Sequence, residues 1–151
     1  MRLPKATWCA LYAVLELARE RERQVSAAEI AERYGVSANH LAKVLRDLGR
    51  AGLVESVRGA GGGYRFAGNV KRTTLYDVVI LFEDIVADGG ASEPGADTNV
   101  GRGLTRVLTE IDEIVIATLK SVTLATLLKT MPRRTGPNAG ATDAATPTAA
   151  N

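Results

Sequence analysis

"VSAAEIAERYGVSANHLAKVLRDLGRAGLVESVRGAGGGYRF", residues 25–66, is the stretch whose reading decides the fold. Glycines punctuate it. Ser26 and Glu29 have capping-box spacing, in which the serine oxygen takes the N3 amide and the glutamate reaches back. Ile30 and Ala31 open an apolar stripe that stops at Gly35, the residue best suited to a left-handed helix C-terminus. Ser37 can cap a second helix, with Leu41, Val44, Leu45 and Leu48 on one face and Gly52 at its end. A short helix, a glycine-containing turn and a longer helix make a helix-turn-helix unit, a spacing that helical hairpins without a DNA function also show.

Beyond it, "LVESV" (53–57) and "YRFAG" (64–68) alternate like half-buried strands. The glycine-rich stretch 59–63 joins them. Such a loop could also cradle a phosphate, but a P-loop ends in Lys-Ser or Lys-Thr and runs straight into a helix, as does a dinucleotide fingerprint. Here Tyr64, Arg65 and Phe66 continue as strand. The loop therefore reads as the tip of a hairpin, a wing. Gly59, Gly61 and Gly62 let its turn lie close against a groove, and Arg58 supplies charge at its base.

Working outward, 151 residues with 46% apolar side chains suffice for one modest core plus appendages. The single cysteine, Cys9, excludes a disulfide within the chain, and Cys9 with the single histidine, His40, falls short of a structural zinc set. No apolar run approaches the roughly 20 residues of a membrane helix, and the N-terminus lacks the apolar core of a signal peptide, so a cytoplasmic protein without membrane partners is expected. Charge is uneven. Residues 1–72 carry 13 Lys+Arg against 7 Asp+Glu, whereas residues 73–151 carry 6 against 10. A basic first half suggests a polyanionic partner.

Upstream, "TWCALYAVLELARERE" places Trp8, Leu11, Tyr12, Leu15 and Ala18 on one apolar face, with Glu16, Arg19, Glu20 and Arg23 largely off it. Downstream, "LYDVVILFEDIVA" (75–87) reads as a helix packed on the domain, followed by a polar, glycine-rich, mobile loop over 87–99. Val100, Leu104, Val107, Ile111, Ile114 and Thr118 then recur at alternating spacings of four and three. With Leu108, Val115 and Leu119 beside them, the stripe is wide enough for both the core and a partner helix. Some 20 residues at ~1.5 Å each give a rod of ~30 Å, enough to hold two winged domains about one DNA turn apart. The tail 132–151, rich in Ala, Thr, Pro and Gly, is expected to be disordered.

The blocks "MRLPKATWCALYAVLELA", residues 25–67, "TTLYDVVILFE" and "TLATLL" together resemble the Rrf-two family of winged-helix transcriptional regulators, over about residues 1 to 130. The resemblance implies a mainly α fold: a winged helix-turn-helix domain (1–72) with a two-stranded wing, then a packing helix, a sensor-type loop and a long C-terminal dimerisation helix (73–131). It implies a homodimer on double-stranded DNA, with the helix from Ser37 to about Ala51 in a major groove and the Arg58 wing in a minor groove. The residues agree. Ser37, Ala38, Asn39 and His40 stand in the first turn, and Asn suits bidentate contact with adenine. Lys43, Arg46 and Arg50 read as phosphate or surface charges, and Tyr64 joins the wing contacts. Ala42 stands where some cluster-binding members carry a base-reading glutamate, so the operator is expected to differ from theirs. The stripe alone also allows a purely intrachain helix; the resemblance makes Val100, Leu104, Val107, Ile111 and Ile114 the expected dimer residues.

Cluster-binding members carry three cysteines in the 87–99 loop. This chain has none there, so no cofactor and no metal is expected, and Asp88, Glu93 and Asp97 read as solvated. No catalytic constellation is present, which argues against an enzyme. Two alternatives stay open: a winged-helix protein-interaction module, and a regulator sensing redox state through the lone thiol of Cys9. An effector, a small molecule or a protein, is expected but not identified.

Overall fold

The computed structural model describes residues 3–132, so the expected disordered tail lies, from residue 133 onward, outside the described residues. Six helices and one hairpin follow in the order α1 (Lys5–Arg19), α2 (Ala27–Tyr34), α3 (Ala38–Arg50), β1 (Val54–Val57), β2 (Gly63–Phe66), α4 (Leu75–Val79), α5 (Asn99–Ser121) and α6 (Leu124–Thr130). The architecture is a mainly helical winged helix with an antiparallel two-stranded wing in the register Val54 to Phe66 through Val57 to Gly63.

Local chemistry sets the boundaries of α2 and α3. Ser26 and Ser37 accept the amides of Glu29 and His40, and Gly35 closes α2 at φ 61°, a left-handed conformation that costs glycine little. Leu41, Val44, Leu45 and Leu48 of α3 face α1 and bury completely or nearly so. Each such burial contributes about 1.5–3 kcal/mol, which outweighs the modest helix propensities involved.

Three expectations need correction. Leu11 and Ala18 of the expected face are buried, but the rest of the buried side of α1 includes Ala10, Ala13, Val14 and Leu17, while Trp8 is 47% exposed and Tyr12 and Leu15 are half-buried. Alanines let α3 approach closely, so the large side chains fall on a second, more open flank. Glu16 is buried at 4% exposure, because Arg33 pairs with it and the Tyr34 hydroxyl donates to its Oε2 at 2.7 Å. The helix expected over 75–87 ends at Val79: a complete Thr74–Asp77 capping box starts it, but short-range turns through Phe82 replace it. The Thr7 hydroxyl, donating to Glu83, ties that segment back to α1.

Two features were not read from the sequence. Val25 exchanges both backbone hydrogen bonds with Tyr64, each 2.9 Å, which adds a one-residue third strand to the wing. α6 is capped by Thr123 and buries Leu124 in the core beside Val78 and Val79.

Candidate nucleic-acid interface

Asn39, Lys43, Arg46 and Arg50 recur at i, i+4, i+7 and i+11 along α3, so they form one stripe opposite the buried leucines and valine. All four are exposed. Lys43 and Arg46 make no ion pair among the described residues, whereas Arg50 Nη1 lies 3.6 Å from Asp47 Oδ1. Ser37 and Ala38 are exposed at the helix start, where free amides and the helix dipole favour an anion such as a phosphate. This edge combines a side chain able to read a base with unpaired cations able to meet phosphates.

His40 departs from expectation. Its ring is partly buried, and its Nε2 is shielded from solvent without a hydrogen-bond partner among the described residues. It lines a cavity shared with Lys5, Trp8 and Cys9, so that nitrogen does not face outward toward a base edge.

At the wing, Arg58 is exposed and makes no ion pair among the described residues, while Arg65 pairs with Glu55 across the strands. Gly59 (φ 115°) and Gly61 (φ 75°) take conformations that L side chains rarely adopt. Gly62 is needed for another reason: a Cβ there would lie 2.6 Å from the Val57 carbonyl oxygen. That glycine serves the chain's own tight turn, a role the sequence reading did not assign to it. Tyr64 is also displaced from the expected role, since its half-buried ring packs on the core.

The stripe expected to form a dimer seam is open. Val100 (82%), Leu104 (57%), Val107 (53%), Ile111 (49%) and Ile114 (66%) are all exposed, and only Leu119 of α5 is buried. The stripe therefore serves the core at its C-terminal end alone. The 87–99 segment runs as successive turns along a neighbouring face of α5, where the Gly89 amide donates to Asp112 at 3.3 Å. Cys9 is 1% exposed, and burial pushes its thiol above the ordinary value. That disfavours the thiolate which redox chemistry requires.

An apolar cavity of about 420 Å³ separates α1 from the ends of α5 and α6, walled by Trp8, Leu11, Leu15, Leu119, Leu127 and Met131. Trp8, Tyr12 and Tyr34 stack in series beside it, with centroids 5.7 and 4.5 Å apart.

Comparison with known proteins bears on this geometry. The chain is 57% identical over 144 residues, 91% of each chain, to BadM of Rhodopseudomonas palustris, named as an HTH-type transcriptional regulator. It is 36% identical to the HTH-type transcriptional regulator NsrR of Bacillus subtilis, over 85% of this chain and 91% of that one. The structure of CymR, the global cysteine regulator of B. subtilis, superposes with a TM-score of 0.72 at 26% identity, covering 87% of this chain and 99% of that one. These are regulators, not enzymes. The family model that matches residues 3–130 is described as an iron-dependent transcriptional regulator. The residues present do not fit an iron group: among the described residues no three His, Cys, Asp or Glu side chains converge, and Cys9 is buried within α1. With a winged helix, an exposed polar edge on α3 and a family match across residues 3–130, this chain belongs to the Rrf2 family of transcriptional regulators.

Proposed function

We propose that this regulator binds DNA as a homodimer on a palindromic operator, with α3 in the major groove and the wing in the minor groove of each half-site. The observation that carries this reading is the α3 stripe: Asn39 exposed in the first turn, with Lys43 and Arg46 unpaired along the same edge. Asn39 reads a base edge, Lys43 and Arg46 hold phosphates, and Arg58 enters a narrow minor groove where A·T tracts concentrate negative potential. Ser37 orders the first turn. In this reading the protein works in the cytoplasm and uses no iron–sulfur cluster, a reading supported by the lack of cysteine between residues 87 and 99.

Footprinting on the DNA flanking the protein's own gene tests this. Two protected half-sites about one helical turn apart are expected. A single protected patch, or none on any flanking fragment, would replace the reading with a monomeric binder or a protein-interaction module.

A further inference from the structure

Every cation assigned to DNA above stands on α3 or on the wing. Lys5, the first residue of α1, is exposed and makes no ion pair among the described residues. Far from α3 in sequence, it nevertheless lines one cleft of about 370 Å³ with Gly35, Ser37 and His40, which run from the turn after α2 into the first turn of α3. Trp8 and Tyr12 complete the walls.

No carboxylate lines this cleft, and neither α1 nor α3 has an acidic residue in its first turn. Along α1 the first acid is Glu16, buried against Arg33 and Tyr34, and along α3 it is Asp47, 3.6 Å from Arg50. The field of the Lys5 ammonium is therefore largely uncancelled, and it stands beside the helix that carries Asn39. Arg21 is the opposite case. It too is exposed, at the turn after α1, but it shares its cleft with Glu22, and the other guanidiniums there, of Arg23 and Arg65, already hold Glu29 and Glu55. A phosphate entering that second cleft would meet a carboxylate.

A helix in a major groove about 12 Å wide runs between two walls of phosphate. Lys43 and Arg46 serve α3 one to two turns beyond Asn39, whereas its start carries no cation of its own before Lys43. We propose that Lys5 is a further phosphate anchor, contributed by α1, that holds the DNA backbone where it passes the start of α3. This rests on the DNA-binding reading above and adds a contact from outside the helix-turn-helix. Contacts of this kind set register and orientation without reading sequence.

Anisotropy titrations of the full chain on operator and shuffled duplexes between 50 and 200 mM salt test it. Lys5→Ala and Lys5→Gln should each make the slope of log affinity against log salt shallower by about 0.9 per subunit, or about 1.8 per dimer, on both duplexes alike. Lys5→Arg should keep the wild-type slope, and Arg21→Ala should leave it unchanged. Trp8 is the only tryptophan and lines the same cleft, so DNA should change its emission in the wild type and much less in Lys5→Ala. A steep wild-type slope that neither Lys5→Ala nor Lys5→Gln alters would overturn the anchor while leaving DNA binding by α3 intact. A Trp8 response to inorganic phosphate without DNA, beside such an unaltered slope, would make the cleft a site for a free anion instead. A loss confined to the operator would overturn the phosphate assignment in favour of a base contact. Wild-type protein with no affinity for either duplex would remove the DNA-binding reading itself.

Discussion

Replacing Lys43 with alanine should change how binding responds to salt more than it changes sequence preference. The ammonium lies on the exposed edge of α3 and makes no ion pair among the described residues, so its charge is available to a phosphate. Each lost phosphate contact makes the slope of log affinity against log salt shallower by about 0.9, and a symmetric dimer loses two, giving about 1.8. Between 50 and 200 mM salt, a fourfold range, that amounts to about tenfold less weakening than the wild type suffers. Arg50→Ala should move the slope less, because Asp47 at 3.6 Å already offsets part of its charge. Fluorescence anisotropy with operator and scrambled duplexes across that range measures both. Equal slope changes for the two variants, or an unchanged slope for Lys43→Ala beside a steep wild-type slope, would refute the assignment of Lys43 to a phosphate.

Glu16→Ala should lower stability to urea by about 1.5–3 kcal/mol, since it strips Arg33 and the Tyr34 hydroxyl of a buried partner while Arg33 keeps Glu29 at 3.1 Å; a change within error would show the pair to be dispensable. Burial raises the Cys9 thiol, so the folded state holds that proton more tightly than the unfolded chain does. Its contribution is complete below the ordinary thiol value and declines as pH rises above about 8.5; Cys9→Ala should flatten that alkaline decline in urea titrations, and an identical pH profile would contradict the linkage. Protein purified without oxygen should be colourless and bind operator DNA; stoichiometric iron and sulfide with visible absorbance would contradict this.

The helix-turn-helix and wing were legible because they rest on local chemistry: Ser26, Gly35 and Ser37 fix the boundaries, and period-2 alternation continues through Tyr64 to Phe66. What failed to show was tertiary. An apolar stripe picks out large residues, so Trp8, Tyr12 and Leu15 looked like the core of α1 while Ala10 and Ala13 took that place. Glu16 looked solvent-facing because its partners, Arg33 and Tyr34, arrive from another helix. Helical periodicity persists past Val79, yet the backbone turns there, and nothing local in Ile80 to Phe82 signals it. Of the residues proposed to contact DNA, Asn39, Lys43, Arg46 and Arg58 stand exposed, whereas His40 and Tyr64 are drawn inward by packing that sequence spacing does not encode.

The most direct test of the claim that α3 reads DNA sequence is a parallel titration of the wild type and Asn39→Ala on the flanking-gene operator and a shuffled duplex at one fixed salt concentration. The account predicts that the wild type prefers the operator by roughly a thousandfold or more. It predicts that Asn39→Ala loses about 1–3 kcal/mol on the operator and almost nothing on the shuffled duplex. Equal wild-type affinity for the two duplexes, or an equal loss on both in the variant, would contradict it.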